Sequence, residues 1–202
     1  MANGPDLIRN YFPKLTAEQA DLFLRAGELY MDWNSKVNVI SRKDMDYFFE
    51  RHVLHSLAIL KVAKLNGRVM DLGSGGGFPG IPLAIMCPDV QFVLVDSIAK
   101  KCKVMREIAE ALGLDNVQVV NGRAEDVEDK FDVVVCRAVA PLRTLLHWIG
   151  NKLKKGGMLY CLKGGQLSEE ISEAGVKVGV HNISEFYDGE FFETKKVVVL
   201  KR

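Results

Sequence analysis

The stretch RVMDLGSGGGFPGIP, which runs from Arg68 to Pro82, decides the fold of this chain. A short apolar run ends at an acid, Asp71, and five glycines follow within the next nine residues. This pattern predicts a strand followed by a tight turn that opens a helix, with Pro79 or Pro82 in its first turn. Glycines allow a ligand to approach the backbone closely, and the first N–H groups of the helix stay free to donate. The stretch therefore predicts a site for a nucleotide-like ligand, because an ordinary glycine-rich loop needs fewer glycines.

Two cofactors are compatible with this turn. Gly75, Gly77 and Gly80 satisfy the G-x-G-x-x-G pattern of dinucleotide-binding folds, and Asp96 ends the next apolar run. However, Asp71 precedes the glycines, and the resulting D-x-G-x-G-x-G pattern resembles motif I of the S-adenosylmethionine (SAM) methyltransferases. In that family the turn wraps the amino-acid part of the cofactor and a second acid, here Asp96, holds the ribose hydroxyls. The resemblance favours SAM over a nicotinamide dinucleotide.

Size and composition limit the class of protein. A chain of 202 residues with 48% hydrophobic residues accommodates one α/β domain and a modest extension. The four cysteines form no C-x-x-C pair, so neither a disulfide framework nor a metal site is predicted. No signal sequence and no run approaching ~18 apolar residues is found, which predicts a cytoplasmic protein without membrane contact. A net charge of +1 means that any contacts with phosphates must come from local clusters.

The N-terminal third is predicted to contain two helices. Residues 1–15 are polar and interrupted by prolines, which predicts a loosely held lead-in. Thr16 and Gln19 form a capping-box pattern, and apolar residues then recur at helical spacing as far as Trp33. A second amphipathic helix is predicted from about Asp44. Trp33 and the phenylalanines of this region are expected in the core.

After this region, short apolar runs alternate with helical segments. The predicted strands are 69–72, 92–95, 117–120, 133–136, 158–162, 176–183 and 197–200. Such alternation predicts parallel strands joined by crossovers, of which the clearest helix spans 98–112 and ends at Gly113. No segment of helix length separates the last two strands, so they are expected to pair as an antiparallel hairpin.

The predicted fold class is α/β, with a Rossmann-like, mainly parallel, doubly wound sheet of seven strands. A C-terminal antiparallel strand is what the resemblance to class I SAM methyltransferases implies, and a dinucleotide domain would not predict it. Residues 1–66 are expected to form a helical extension packed on a methyltransferase domain of residues 67–202, the two making a single structural unit.

The carboxyl ends of the predicted strands carry the candidate site residues, because ligands of doubly wound sheets bind there. These residues are Asp71, Gly73, Ser74, Gly75, Phe78, Asp96, Ser97, Arg123, Ala124, Glu125, Arg137 and Lys163. In the SAM enzymes the residues after the third strand contact the adenine, which indicates Ala124 and Glu125. A capped helix start is an equally good explanation of Glu125.

The segment after the fourth strand bears on the reaction subtype. Enzymes that methylate exocyclic amines carry Asn or Asp, two prolines and an aromatic residue there, whereas this chain has CRAVAP at 136–141. Methylation at pyrimidine C5 needs a cysteine nucleophile, commonly beside a proline, and Cys136 is better explained as a buried thiol. Guanine N7 has its own lone pair and no proton to lose, so its methylation needs only alignment and electrostatic support.

The chain resembles the small-subunit (16S) ribosomal RNA methyltransferase G family, also called glucose-inhibited division protein B, from about Leu29 to its C-terminus. The resemblance is carried by LGSGGGFPGIPLAI at 72–85, Asp96-Ser97, Arg123-Ala124-Glu125, Arg137-Ala138, Leu162-Lys163-Gly164, Trp33-Asn34, Asn38 and Arg51-His52. It implies a bacterial enzyme that transfers methyl from SAM to guanine N7 in 16S rRNA, either free or within the small ribosomal subunit.

The resemblance also implies roles for individual residues. The cofactor-binding set is Asp71, Gly73, Ser74, Gly75, Phe78, Asp96, Ser97, Ala124, Glu125 and Arg137. One departure from the family is His55, where relatives usually have Asp in R-H-x-x-D-S, and the role of that carboxylate is open here.

Basic residues at strand ends are the candidates for RNA contact. Arg123, Arg137 and Lys163 are expected to act on the reaction by orientation and electrostatics, without an obligatory general base. Arg51, His52, Arg123 and Lys163 are expected to contact RNA, since Arg can contact guanine O6. His52 is equally well explained as a core histidine on a helix face.

Other functions remain open from the residues alone. They are a SAM-dependent methyltransferase of a small molecule or protein, a dehydrogenase, and a non-catalytic SAM-binding module associated with the ribosome. The protein is expected to be a monomer.

Overall fold

A seven-stranded sheet forms the centre of the protein. The computed structural model describes residues 4–202, with the backbone alone for Arg42. Along the sheet the strands follow the order β3-β2-β1-β4-β5-β7-β6. Their bounds are β1 Arg68–Leu72, β2 Gln91–Asp96, β3 Val117–Asn121, β4 Phe131–Arg137, β5 Leu153–Gly164, β6 Gly179–Asn182 and β7 Lys195–Lys201.

Strand directions confirm the predicted fold class. Strands β1 to β5 pair in parallel, and β7 lies antiparallel between β5 and β6. The expected terminal hairpin is therefore confirmed as the β6–β7 pair, with Val180 opposite Val198. Strand β5 begins five residues before the predicted 158, because its extra N-terminal residues pair Leu153 with Phe131 of β4.

Helices connect the strands and cover both faces of the sheet. Their bounds are α1 Pro5–Tyr11, α2 Ala17–Lys36, α3 His55–Leu57, α4 Ile59–Val62, α5 Gly80–Met86, α6 Ala99–Leu112, α7 Leu142–Ile149, α8 Ser168–Ala174 and α9 Glu190–Glu193. Helix α6 ends at Gly113, whose φ of 68° closes the helix as the sequence predicted. Among residues 4–202, no helix combines the length and the hydropathy that a bilayer crossing requires.

Residues 4–15 are better ordered than the sequence suggested. Residues 5–11 form α1, and Ile8 is fully buried in the core, so a loosely held lead-in is wrong for residues 4–15. Proline at the first helical position starts α1 rather than interrupting it. Residues 1–3 of that predicted segment lie outside the described residues. The capping box of α2 is confirmed, since Gln19 N donates to Thr16 Oγ1 and Thr16 N donates to Gln19 Oε1, both at 3.1 Å.

The second predicted helix is replaced by four short helical pieces. A 3-10 helix at Arg42–Tyr47 leads into a π-helical segment at Phe48–Leu54, followed by α3 and α4. Apolar periodicity cannot distinguish these helical types. π-Helical turns are rare and are frequently found at functional sites. Here the π-helical turn places the rings of Phe48 and His52 in a stack, with 6.3 Å between their centroids.

The core has two layers, one on each face of the sheet. In β4, Val133 and Val135 face the layer that contains α2, α5 and α6, and Val134 and Cys136 face the layer that contains α7. This alternation is the two-residue period of a strand buried on both faces. The first layer also takes residues from α1 and the π-helical segment, so the N-terminal helices and the sheet share one core.

Candidate cofactor cleft and adjoining basic cluster

A cleft of about 240 Å³ lies at the carboxyl ends of β1, β2 and β3. Its walls come from the glycine turn after β1, the Asp96-Ser97 corner after β2, the segment after β3 and the segment after β4. The lining residues are Leu72, Gly73, Gly75, Val95, Asp96, Ser97, Ile98, Lys101, Gly122, Arg123, Ala124, Glu125, Ala138, Val139 and Trp148. The parallel register explains this convergence, because it sets Leu72 beside Val95 and Asp96 beside Asn121.

The glycine turn is fastened to the neighbouring strand by its own backbone. The N–H groups of Gly73 and Ser74 both donate to Val95 O, at 2.9 and 3.1 Å. Gly77 has a φ of 94°, and a Cβ there would lie 2.7 Å from Ile81 and 2.9 Å from the Tyr30 hydroxyl. Only glycine fits such a position, so the turn depends on contact with helix α2.

Asp71 lies behind the turn, fully buried, and is not part of the cleft lining. Its Oδ2 accepts from Gly80 N at 2.8 Å and so caps the first turn of α5, whereas Oδ1 has no hydrogen-bond partner among the described residues. Burial raises the pKa of Asp71 to about 7, against the lowering effect of the Gly80 hydrogen bond. Asp71 therefore acts on the turn through α5.

Asp96 joins the turn to the second strand. Its Oδ2 accepts from Gly75 N and its Oδ1 accepts from Ile98 N, both at 2.8 Å. A carboxylate has about four lone-pair positions, so each oxygen keeps one that can accept from a ligand hydroxyl. Ser97 beside it is exposed and lines the cleft.

The segment after β3 forms the far end of the cleft. Ala124 is buried, whereas Arg123 and Glu125 are exposed at its rim. The 3-10 helix at Ala124–Asp126 starts here, which agrees with the helix-start explanation of Glu125. Glu125 also lines the cleft, and its contact with a cofactor stays a prediction. Arg123, one of the residues predicted to contact RNA, lines this cleft, whereas Arg51, His52 and Arg137 do not.

The segment after β4 carries a strained backbone. Ala138 has a φ of 52°, a left-handed conformation that a residue with a Cβ rarely adopts, and it lines the cleft with Val139. Strain of this kind is concentrated at functional sites. Cys136, just before, is buried, and its hydrogen bond with Cys161 raises the pKa of its thiol well above the usual range. Cys136 is therefore a buried thiol, as expected, and not a ready nucleophile.

Arg137 is the centre of a basic cluster beside the turn. Its Nη1 donates to Arg51 O at 3.2 Å, its Nη2 lies 3.1 Å from His52 Nδ1, and its guanidinium carbon lies 4.8 Å from the Phe78 ring centre. Guanidinium has no acceptor, so Nδ1 of His52 must be the acceptor and the ring proton lies on Nε2. Burial lowers the pKa of Arg137 to about 10, and the side chain stays charged at neutral pH.

The histidines of this cluster are neutral. Burial and the nearby Arg137 guanidinium lower the pKa of His52 to about 3, and the same causes lower the pKa of His55 well below its usual range. Within residues 4–202, Nε2 of each ring is buried without a hydrogen-bond partner. His55 packs edge-on against Phe191, 5.5 Å between ring centres, so a neutral ring occupies the position at which the resemblance implied Asp.

Two other predicted RNA contacts are held in ion pairs. Arg51 pairs with Asp44 at 2.7 Å, and its guanidinium lies 3.9 Å from the Tyr47 ring centre. Lys163 pairs with Glu170 at 2.7 Å and also donates to Ala140 O. Each would have to exchange a carboxylate partner to reach a phosphate.

The predicted residues therefore divide into three groups and one separate residue, Lys163. The cleft brings together Gly73, Gly75, Asp96, Ser97, Arg123, Ala124 and Glu125. Asp71, Ser74 and Phe78 are buried in or behind the turn. Arg51, His52 and Arg137 form the basic cluster, and Lys163 pairs with α8.

Sequence reasoning missed Lys101, Val139 and Trp148 in the cleft lining. Trp148 follows the buried Leu145 by three residues on α7, so the helical period places it beside the buried stripe. The position of Trp148 relative to the cleft depends on how α7 packs on the sheet. A local sequence pattern does not give that packing.

A larger groove of about 660 Å³ lies between α2 and the segment 45–49. Its wall is apolar, and its acids are Glu28, Asp32 and Asp46. These carboxylates repel phosphate, and the groove contains none of the strand-end residues, so the smaller cleft is the candidate site.

Known proteins resemble this chain along nearly its whole length. The family model described as GidB, rRNA small subunit methyltransferase G, matches residues 19–194. The protein named ribosomal RNA small subunit methyltransferase G from Bacteroides fragilis (strain YCH46) is 52% identical, over 97% of this chain and 91% of that protein. The protein of the same name from Christiangramia forsetii is 47% identical, over 96% of each.

Solved structures with a similar fold include SAM methyltransferases. The glycopeptide N-methyltransferase MtfA complexed with sinefungin has a TM-score of 0.62 at 11% identity, covering 75% of this chain and 89% of that chain. A SAM-dependent methyltransferase from Aquifex aeolicus has a TM-score of 0.56 at 18% identity, covering 72% and 88%. At these identities the likeness shows the fold alone.

Proposed function

Because the chain belongs to the rRNA small subunit methyltransferase G family, we propose that it transfers methyl from SAM to N7 of a guanine in 16S rRNA. The family resemblance that the motifs indicated is confirmed, and with it the class of SAM-dependent methyltransferases. The proposal includes the predicted cytoplasmic location, a monomeric enzyme, and rRNA or the small ribosomal subunit as partner.

The observation that carries the proposal is the hydrogen bond between Asp96 Oδ2 and Gly75 N, which joins the acid to the glycine turn. It leaves carboxylate lone pairs for ribose hydroxyls. A Cβ added at Gly75 would meet only a backbone oxygen 4.0 Å away, so the turn has open space on that side. The residues present therefore fit SAM, which Gly73, Gly75, Asp96, Ser97, Ala124 and Glu125 would hold.

The chemistry asks little of the protein beyond alignment. SAM supplies an electrophilic methyl group when it is bound. A guanine N7 attacks through its own lone pair and loses no proton, so neither a general base nor a covalent nucleophile is needed. The segment after β4 supplies neither, since its thiol is buried and it lacks the acceptors that an exocyclic amine requires.

Arg137 is the residue we assign to the guanine. Its three contacts fix the guanidinium beside Phe78, at the turn, where its charge can face the guanine O6 edge. In this arrangement His52 positions Arg137 as a hydrogen-bond acceptor. Arg51, Arg123 and Lys163 would contact RNA phosphates, with Arg123 approaching from the cofactor side.

The test is methyl transfer from labelled SAM to unmodified 16S rRNA, both free and assembled into small subunits. Nuclease digestion and mass spectrometry of the nucleosides are expected to place the label in 7-methylguanosine. A label on an exocyclic amine would contradict the N7 assignment. Retained SAM binding with no labelled RNA would favour a small-molecule or protein substrate, or a non-catalytic SAM-binding module.

A variant pair tests the role of Arg137. We expect Arg137→Ala to lower methyl transfer at least ~100-fold, in the range of a lost electrostatic donor. Arg143→Ala is the matched control, because Arg143 is exposed on α7. Unchanged RNA methylation and SAM affinity in Arg137→Ala would refute the assignment.

A further inference from the structure

We propose that Trp148 is the aromatic wall of the cleft against which the adenine base of the ligand stacks. The inference rests on the proposed function, since it takes the ligand of the cleft to be SAM. It concerns a residue that lines the cleft with Ala124, Glu125 and Val139, on a helix that no motif of the sequence singled out.

The lining of the cleft contains a polar set and an apolar set. Asp96, Ser97 and the glycine turn offer hydrogen-bonding groups, which suit ribose hydroxyls and the charged amino-acid part of the cofactor. Ala124, Val139 and Trp148 are apolar side chains of the wall, and Arg123 and Glu125 are exposed at its rim. A glycosidic bond holds a base directly beside its ribose, so a flat base next to Asp96 would lie toward the three apolar side chains.

Trp148 is half-buried beside the inward stripe of α7. Leu142, Leu145 and Ile149 of this helix are buried, so they attach it to the second core layer. Contacts between α7 and the 3-10 helix at Ala124–Asp126 bring the indole to the residues expected at the adenine. An indole offers a flat face on which an aromatic base can stack, whereas an aliphatic side chain offers only contact area.

A single-tryptophan protein tests the proposal directly. The chain has two tryptophans, and Trp33→Phe removes the one on α2. The remaining tryptophan emission then reports on Trp148 alone. The probes are S-adenosylhomocysteine, adenosine and methionine. We expect the two adenine-containing probes to quench the emission and methionine to leave it unchanged, a readout that a merely structural tryptophan would not give.

Calorimetric titration with S-adenosylhomocysteine measures the contribution to affinity. Trp148→Leu is expected to raise the Kd about ten-fold, and Trp148→Phe, which keeps a ring, to raise it by roughly three-fold or less. Trp33→Leu is the matched control and should bind as the native protein does. Should Trp148→Leu fail to fold, the Phe variant and the quenching experiment still decide the question.

The outcomes separate the two proposals. Tight binding with unchanged Trp148 emission, or Trp148→Leu with the native Kd, would overturn the adenine wall and leave the methyltransferase proposal standing. Adenine-dependent quenching without any RNA methylation would support the adenine wall and contradict the proposed function. Absence of S-adenosylhomocysteine binding to the native protein would refute both.

Discussion

Replacing Asp71 with asparagine tests whether the acid at the end of β1 is held in the fold at the expense of stability. Asparagine keeps an oxygen that can accept from Gly80 N, the 2.8 Å hydrogen bond that caps α5. It removes a fully buried carboxyl whose Oδ1 has no hydrogen-bond partner in the described part of the chain. The substitution therefore changes the charge and leaves the shape of the cap.

The expected effect follows from the pKa of this group. Burial raises the pKa of Asp71 from 3.8 to about 7, so the folded state prefers the protonated form. The stabilising contribution of the protonated Asp71 carboxyl is fully present below the pKa of the unfolded chain, and it is lost as the pH rises through the pKa of the folded state. Through Asp71 alone, each pH unit of increase between about pH 5 and pH 7 lowers the free energy of unfolding by about 1.4 kcal/mol. Asparagine does not titrate. Between about pH 5 and pH 8, the free energy of unfolding of Asp71→Asn should therefore rise by about 3 kcal/mol relative to that of the native protein.

Urea unfolding followed by circular dichroism over this pH range measures the difference. Comparing the two proteins at each pH cancels the titration of groups that they share. Asp71→Ala is the control, because it also lacks the titrating carboxyl but removes the acceptor of Gly80 N, so it should be less stable than Asp71→Asn by about 1–3 kcal/mol at every pH. A difference between Asp71→Asn and the native protein that stays constant to within about 0.5 kcal/mol would refute the argument.

Two further predictions concern the turn and the basic cluster. Gly80→Ala should destabilise the protein more than Gly75→Ala, because its Cβ would lie 2.7 Å from Asp71 Oδ2, whereas Gly75 has open space and only the left-handed strain of about 1–2 kcal/mol. Gly75→Ala should nevertheless fold and lose affinity for S-adenosylhomocysteine. Urea unfolding measures the stability of both variants and calorimetry measures the affinity. A Gly75→Ala protein that is less stable than Gly80→Ala would contradict the prediction. Acidification below about pH 6.5 should reduce the contribution of His52 to the free energy of unfolding, because the folded state keeps this ring neutral with a pKa of about 3 while the unfolded chain takes up the proton. In urea unfolding, His52→Gln should remove this part of the pH dependence of the free energy of unfolding. An unchanged pH dependence in the variant would contradict a buried neutral ring.

The sheet was predictable because its signals are local. The runs at 69–72, 92–95, 117–120 and 133–136 differ from the observed strands by at most two residues at either end. Continuous apolar runs suit strands buried on both faces, as β1, β2 and β4 are. Asp71 and Asp96 at the strand ends marked the carboxyl edge, and the parallel register brought their strands together.

The N-terminal third was less predictable because its structure depends on distant contacts. The polar sequence of α1 contains one deeply buried residue, Ile8. A single buried residue gives no periodic pattern from which its burial could be predicted. In the same way, the spacing around Phe48 fits an α-helix, yet the segment forms 3-10 and π-helical turns against Phe78. The position of Trp148 likewise follows from how α7 packs, and no feature of its own neighbourhood in the sequence indicates a cleft residue.

The contacts of Phe78 explain why the N-terminal helices belong to the site. Its ring, inside the glycine turn, packs against Tyr30 of α2 and Phe48 of the π-helical segment, with ring centres 4.8 and 6.0 Å away. His52, from the same segment, packs on Phe78 at 5.1 Å and accepts from Arg137. The turn proposed to hold the cofactor and the arginine assigned to the guanine are therefore held by the same few side chains. Because those side chains come from the N-terminal layer, a change in the packing of that layer must alter the cofactor turn and the position of Arg137 together.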